Sequence, residues 1–403
     1  MDADVIIAGG GFVGMSLALA LARLGLAVIV IDPVAAAIAL TERFDGRVSA
    51  LSYASLRMFR ALGVWDALAL HAQPIEQILV TDAGLGRPAS PFSLHFDGGE
   101  IGGPLGVIAE NRAIRYALYG AVAATAQIRV IAPASVTALT TDGPAITVRL
   151  STGEALTARL AVAADGRDSR ARDEMGIGIV AWDYPQAGIV ATVHHERPHN
   201  GVAYEHFLPA GPFAILPLPG NRASLVWTEK RDIAARMLGL DQAGFEAEIA
   251  KRFGAHLGAT RAEGPRWSYP LRFHVARQYV KPRFALAGDA AHGIHPIAGQ
   301  GLNLGLRDAA AFTDVVSDAA GLGQDIGALD VLKRYEEWRR FDSLAMALTM
   351  DGLNRLFSND FAPLRLARDI GIGIVDKIGP LRRAFMREAG GDSGKLPSLM
   401  RAS

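Results

Sequence analysis

The hydrophobic pattern changes period twice near the N-terminus. Residues 4–8 form a continuous apolar run that ends in Gly9-Gly10-Gly11, as expected of a strand buried on both faces. Residues 12–24 carry an apolar helical pattern stopped by Gly25, and residues 27–31 return to a short buried run closed by Asp32 and Pro33. Strand, helix and strand in that order predict a βαβ unit. Farther on, residues 52–62 and 111–125 have helical spacing. Residues 128–131, 135–140, 145–150 and 155–164 read as strands, the last two joined by a turn at Ser151-Thr152-Gly153.

Between residues 188 and 269 the pattern alternates and is punctuated by Pro209, Gly211, Pro217 and Gly220. That predicts an antiparallel sheet of hairpins, interrupted by helices at 232–238 and 242–253. Residues 283–287 are again a short buried strand, a helix starts near Gly299, and the pattern is helical from 329 to about 385. The predicted layout is a nucleotide-binding α/β domain that is left and re-entered, with a β-rich insertion and a helical tail.

Composition narrows the function classes. A chain of 403 residues, 50% hydrophobic and 20% charged, can bury a sizeable core without staples and is not disordered. Lys plus Arg and Asp plus Glu are 41 each, which argues against a general nucleic-acid binder. The absence of cysteine excludes disulfides, thiolate catalysis and cysteine-based metal centres. The start, Met1-Asp2-Ala3-Asp4, is acidic where a secretory signal is basic, and the apolar stretch 5–31 is broken by Arg23 and by patterned glycines. The expected location is the cytoplasm, with attachment to the inner face of the membrane left open by the tail.

Glycine makes up 44 residues, and three glycine-bearing sites carry the chemistry. The first is Gly9-Gly10-Gly11-Phe12-Val13-Gly14, a G-x-G-x-x-G between a predicted strand and helix. Gly9 permits the turn, Gly11 lets the backbone approach a pyrophosphate, and Gly14 lets the helix pack close to the sheet. Asp32 ends the next strand, where an acid can accept hydrogen bonds from a ribose. These residues alone fit FAD or NAD. The second site is Asp165-Gly166 at the end of a strand, followed by the basic stretch Arg167-Asp168-Ser169-Arg170-Ala171-Arg172. The third runs from Gly288-Asp289 through Pro296 and Gly299-Gln300-Gly301-Leu302-Asn303 to Asp308: a strand, a loop, then a helix start with free N–H groups.

The three sites, in this order, resemble the class A flavoprotein aromatic hydroxylases. Asp45-Gly46-Arg47-Val48-Ser49-Ala50-Leu51-Ser52 looks like the D-x-R-x-x-A-L-S segment of the ubiquinone-biosynthesis hydroxylases of polyprenylphenol and polyprenyl-methoxyphenol type. The run from Gly288 to Asp308, and the stretches 335–340 and 350–359, resemble the same family over nearly the whole chain, least in the β-rich insertion. The resemblance implies a Rossmann-like, three-layer ββα FAD-binding domain formed by residues 1–75, 100–180 and 274–330. It implies a β-rich substrate domain at 76–99 and 181–273 and a helical region at 331–403. The implied cofactor is FAD, reduced by NADPH or NADH, with oxygen adding at flavin C(4a) and an OH passing to the ring of a polyprenylated phenol.

Under that resemblance, Gly9, Gly11, Phe12, Val13, Gly14 and Asp32 hold the dinucleotide end, and Asp165-Gly166 faces both FAD and the NAD(P)H approach. Asp289 after Gly288 binds the ribityl chain, and Arg47 and Arg112 reach FAD phosphate or the ring face. Backbone N–H groups from Gly299, Gln300, Gly301, Leu302 and Asn303 stabilise the anionic edge of reduced flavin, and Pro296 shapes the wall facing the reacting ring. No metal is implied. Asp289, His292 and His295 have ligand chemistry but sit in the flavin motif, and His194, His195, Glu196 and His199 read as a polar hairpin. Tyr204, His206 and Trp227 are candidate pocket residues, with sheet packing as the alternative. The phenol's proton acceptor is not identified.

From Lys377 onward, Lys377, Arg382, Arg383, Arg387, Lys395 and Arg401 outnumber Glu388 and Asp392 by four. With Ile378, Leu381, Ala384, Phe385 and Met386 they form a basic amphipathic pattern. It suits anionic lipid, partner biosynthetic proteins, or packing on the body with a solvated basic face. Rival readings are a flavin enzyme acting on another aromatic or isoprenoid substrate and a non-catalytic subunit of a biosynthetic complex. The W-x-W-x-I-P signature of flavin halogenases is absent, since Trp182-Asp183-Tyr184-Pro185 does not match it. A plain NAD dehydrogenase explains only the first glycine loop.

Overall fold

The computed structural model describes residues 1–40, 44–82, 93–293, 299–357 and 378–401. The chain opens with β1 (Ala3–Ala8), α1 (Phe12–Ala22) and β2 (Val28–Ile31), then α2 (Ala36–Ala39), β3 (Val48–Ser52), α3 (Tyr53–Ala61) and α4 (Trp65–Ala69). β4 (Ala72–Ile75), β5 (Gln77–Asp82), β6 (Ser93–Asp97), β7 (Gly106–Glu110), α5 (Asn111–Ala123) and β8 (Ile128–Ile131) follow. Next come β9 (Val136–Asp142), β10 (Ala145–Leu150), β11 (Ala155–Ala163), α6 (Arg170–Glu174), β12 (Ile179–His195), β13 (Val202–Leu208), β14 (Gly211–Leu218) and β15 (Arg222–Lys230). α7 (Arg231–Gly239) and α8 (Gln242–Phe253) precede β16 (Thr260–Ala276), β17 (Val280–Lys281), β18 (Phe284–Leu286) and β19 (His292–Gly293). The chain ends with α9 (Gln300–Gly321), α10 (Leu329–Phe357) and α11 (Gly379–Ala389).

The first sheet has the order β17-β18-β11-β1-β2-β8. Its centre is parallel, with Ile7 opposite Val162 on one side and Val30 on the other. β11 changes neighbour along its length, pairing with β10 over its first half and with β18 near its end. α1 is apolar on every side because it is enclosed by the sheet, α5 and α9. Its close seat depends on glycine: a Cβ on Gly14 would lie 1.9 Å from the Gly9 carbonyl oxygen, and one on Gly305 of α9 would lie 2.6 Å from Val13 Cγ2.

The second sheet has the order β19-β16-β12-β15-β14-β13-β5-β6. It is antiparallel except where β13 runs parallel to β5. One face carries Ile189, Phe213, Ile215 and Trp227 and is covered by Phe245 and Phe253 of α8. On the opposite face Ala203, Leu216 and Leu218 meet Ile108, Val48 and Ala50 of a third, three-stranded sheet, β3-β7-β4, together with Met386 of α11. That junction is the floor of the cleft between the parts of the molecule.

Three differences from the sequence reading have physical causes. β3 to β7 are not legible as strands: Pro74 lies inside β4, β7 is a short buried run opened by Gly106, and β3 and β6 show no alternation of burial. β12 and β16 extend beyond the alternating stretch, their pairing carrying two register shifts that break the alternation. The single helical pattern after residue 329 resolves into α10 and α11, with 358–377 outside the described residues. The tail folds back on the body: Arg57 donates to Asp392 at 2.8 Å, and Arg307 donates to the Ser393 carbonyl at 2.6 Å.

Candidate active site

The first glycine loop joins β1 to α1 as its sequence requires. Gly9 has φ +107°, a conformation that favours glycine, and Gly11 precedes the helix with open space where a Cβ would point. Phe12, Val13 and Gly14 form the first turn of α1, so their N–H groups have no partner within the helix. Asp32 follows β2 and receives the Gly10 N–H at 2.7 Å and the Val34 N–H at 2.8 Å. Each carboxylate oxygen keeps a lone pair for a further donor.

Asp165 follows β11 on the neighbouring strand. Its Oδ2 accepts the Ala171 N–H at 3.2 Å, while its Oδ1 is buried without a hydrogen-bond partner among the described residues. Burial pushes this carboxyl up, against the pull of hydrogen bonds from Ser169 and Ala171. Gly166 has φ +86° and faces open space. Arg172, buried, donates to the Arg167 carbonyl at 2.9 Å and to the Ala290 carbonyl at 3.3 Å. It therefore ties the Asp165-Gly166 segment to the Gly288-Asp289 loop. A cavity of about 310 Å³ opens beside it, lined by Arg167, Asp168, Arg172, Arg272 and His274.

The Gly288-Asp289 loop is held from behind. Gly288 has φ +62°, and its N–H donates to Asp308 Oδ2 at 3.0 Å. The same oxygen lies 2.7 Å from His292 Nε2, and Arg339 Nε donates to the other oxygen at 2.8 Å. Asp308 and Arg339 are fully buried. Burial pushes the Asp308 carboxyl up, but the charges and hydrogen bonds of His292 and Arg339 outweigh it and hold the group below its ordinary value. His274 Nε2 lies 2.8 Å from the Asp289 carbonyl oxygen, leaving the exposed Asp289 side chain directed away from this support.

α9 starts after Gly299, whose φ is +62°, and Gly301 faces open space. Gln300 donates to the Ala389 carbonyl at 3.2 Å, so the end of α11 abuts the start of α9. Asn303 is buried, accepting the Ser52 N–H at 3.0 Å and the Ser55 hydroxyl at 2.8 Å and donating to the Ala50 carbonyl at 3.0 Å. Its side chain locks α9 to β3, leaving its backbone and that of Leu302 for a ligand. Pro296 and His295 lie outside the described residues.

Arg47 and Arg112 come together at the end of β3 and β7, where the Arg47 carbonyl accepts the Asn111 N–H at 3.0 Å. Arg47 is exposed and paired with Asp45 at 2.7 Å. Arg112 bonds Glu110 at 2.6 Å, and Glu110 also bonds Arg222 of β15 at 3.1 Å, clasping the two sheets together.

On the second sheet, Tyr204 and His206 turn toward His256 beyond α8, with ring centres 4.3 Å and 6.3 Å away, and Trp227 packs against Phe213 and Phe245. All three therefore face away from the cleft. The residue between the first two, Glu205, is on the cleft face by strand alternation, together with Ala203. Among the described residues no three His, Asp or Glu side chains are grouped to hold a metal. His194 pairs with Glu263 at 3.0 Å, and His195 and His199 bond the Arg197 and Leu218 carbonyls.

A family profile described as an FAD binding domain matches residues 2–340. The chain belongs to that FAD-binding family. It is 49% identical over 402 residues to ubiquinone hydroxylase UbiL of Rhodospirillum rubrum, covering 99% of this chain and 92% of the relative. It is 37% identical over 391 residues to the 3-demethoxyubiquinol 3-hydroxylase of Escherichia coli, covering 96% of this chain and 98% of the relative. The solved structure of p-nitrophenol 4-monooxygenase PnpA from Pseudomonas putida DLL-E4 superposes with TM-score 0.79 at 17% identity, covering 98% and 99% of the two chains, and so shares the fold. The flavoprotein's residues fit the cofactor: open space at Gly11, Gly166 and Gly301 admits close backbone approach, and the unpartnered Asp165 Oδ1 awaits a donor.

Proposed function

We propose that this flavoprotein hydroxylates the aromatic ring of a polyprenylated phenol in ubiquinone biosynthesis. The observation that carries the proposal is 49% identity to a ubiquinone hydroxylase across 99% of the chain. FAD, when bound, supplies oxygen activation with electrons from NADPH or NADH.

On this reading Gly9, Gly11, Phe12, Val13 and Gly14 cradle the pyrophosphate and Asp32 receives the ribose. Asp165, Gly166, Gly288 and Asp289 hold the middle of the cofactor. The N–H groups of Gly299, Gln300, Gly301, Leu302 and Asn303 stabilise negative charge on the flavin edge. Arg47 and Arg112 contact phosphate or ring face, Pro296 walls the reacting ring, and the cavity beside Arg167, Arg172 and Arg272 receives the anionic reductant. The chain then divides into an FAD-binding domain (1–75, 100–180, 274–330), a substrate domain (76–99, 181–273) and a helical region (331–403).

No helix among the described residues is long and apolar enough to cross a membrane. Our reading adds peripheral attachment: α11 leaves Ile378, Leu381 and Phe385 exposed beside Arg383 and Arg387. Moderate salt should release the protein from anionic vesicles; indifference to salt, or no binding, contradicts this.

A strain lacking the protein should accumulate a prenylated phenol short of one or more ring oxygens. Wild type should cure it and Asp289→Ala should not. A normal quinone pool in the deficient strain overturns the assignment.

A further inference from the structure

A row of paired residues crosses the second sheet on its cleft face. Leu94 pairs with Val80, Val80 with Glu205, Glu205 with Ala214, Ala214 with Val226, Val226 with Val190, and Val190 with Trp267. Six of the seven are apolar, and the seventh is a carboxylic acid. Glu205 makes no hydrogen bond or ion pair among the described residues. It keeps some accessible surface. Protein nevertheless surrounds it so closely that burial alone pushes the carboxyl up to about 7.

Among the described side chains, its register partners and their neighbours are uncharged. β5 and β6 present Val80 and Leu94, β14 presents Ala214 and Leu216, and β15 and β12 present Val226 and Val190. Farther along this face Arg222 bonds Glu263 and Glu110 of β7, His194 bonds Glu263, and Arg261 is exposed. α11 contributes Met386, and its Arg382 bonds Glu100 at 2.8 Å. The adjoining row carries two more polar groups without partners, the buried hydroxyls of Thr192 and Ser224, which face each other across β12 and β15.

Ala203, two residues before Glu205, packs in the cluster that contains Ala50, and a Cβ on Gly299 at the start of α9 would lie 3.3 Å from the Ala50 Cβ. The acid thus shares the cleft with the helix N-terminus that faces the flavin edge on our reading.

We propose that Glu205 is the catalytic base that accepts the proton of the substrate's ring hydroxyl. The phenolic O–H bond breaks, its electron pair stays on oxygen as phenolate, and a carboxyl O–H bond forms. The electron-rich phenolate ring is then the hydroxyl acceptor, and Glu205 returns its proton to water through its accessible edge. An unpartnered carboxylate suits this task, since a salt bridge would make it a weaker base. This inference rests on ring hydroxylation of a phenol as the reaction.

The test uses purified holoenzyme, an ortho-prenylphenol of short chain and the Glu205→Gln and Glu205→Asp variants. Flavin content checks that each variant is folded. In wild type the hydroxylation rate should rise with pH through about 7 and then level. Glu205→Gln should lose about 10²-fold at neutral pH and recover only toward the phenol's own ionisation near ~10, with Glu205→Asp retaining the neutral limb. Difference absorbance of bound phenol, without reductant, should show phenolate in wild type and phenol in Glu205→Gln. A Gln variant matching wild type in both readouts overturns the inference. A wild type that hydroxylates no prenylated phenol overturns the underlying reading instead.

Discussion

Asp308 on α9 and Glu205 on β13 are both carboxylic acids enclosed by protein, and their surroundings differ in kind. Asp308 receives the Gly288 N–H, Arg339 and His292 on its two oxygens and is held below its ordinary value. Glu205 has apolar neighbours, no partner among the described residues, and a carboxyl pushed up to about 7 by burial. The difference separates support from chemistry. A satisfied acid is a fixed post that positions a loop, whereas an unsatisfied one is free to exchange a proton.

The largest expected effect comes from breaking the satisfied site. Asp308→Ala leaves Arg339 buried without its partner and frees the Gly288 N–H, and should cost roughly 3–5 kcal/mol. Thermal denaturation should show a large drop in Tm together with loss of bound flavin. A near-normal Tm contradicts the view that this network holds the loop.

The glycine loop sharpens the same contrast between support and contact. Gly14→Ala drives a methyl against the Gly9 carbonyl, 1.9 Å away, and should destabilise the flavin-free protein by about 1–3 kcal/mol. Gly11→Ala points into open space and should leave flavin-free stability within about 0.5 kcal/mol while weakening FAD retention. Equal losses of flavin-free stability in both variants contradict the assignment of Gly11 to the cofactor.

The smallest effect tests the unsatisfied acid. At low pH Glu205 is protonated folded and unfolded, so it costs nothing. From its ordinary value of 4.5 up to about 7 the unfolded chain ionises it while the fold keeps the proton, and stability falls as pH rises. Glu205→Gln should therefore match wild type near ~pH 4 and exceed it above ~pH 7 by roughly 1–2 kcal/mol, allowing for partial exposure. Lower stability of the variant at high pH means that Glu205 has a partner.

Much of the cofactor side was legible in the sequence because it depends on backbone. Gly9, Gly11 and Gly14 occur where a turn, a close approach and a helix contact demand them, and β1-α1-β2 has unbroken periodicity. The helix after Gly299 was equally legible from its loop. Asp308 closes the third glycine site with no role evident from the motif, although an acid flanked by Leu304 and Ala311 on an apolar helix face is a signal. Its partner Arg339 is 31 residues away, and no local pattern joins them.

The substrate side was less legible because side-chain direction there follows strand register. Tyr204 and His206 drew attention by type, yet alternation turns them outward and brings Glu205 inward. One position of register separates the two outcomes. β5 and β6, which complete the row around Glu205, lack the strand pattern that would have fixed it.

The most direct test of the account is a single-turnover reaction of purified holoenzyme with NADPH or NADH, an ortho-prenylphenol and heavy-isotope oxygen gas. Mass spectrometry should find a prenylated phenol carrying one additional ring oxygen, and that oxygen should be isotopically heavy. Consumption of reductant with only hydrogen peroxide formed, across prenylated phenols of several chain lengths, would contradict ring hydroxylation by this flavoprotein.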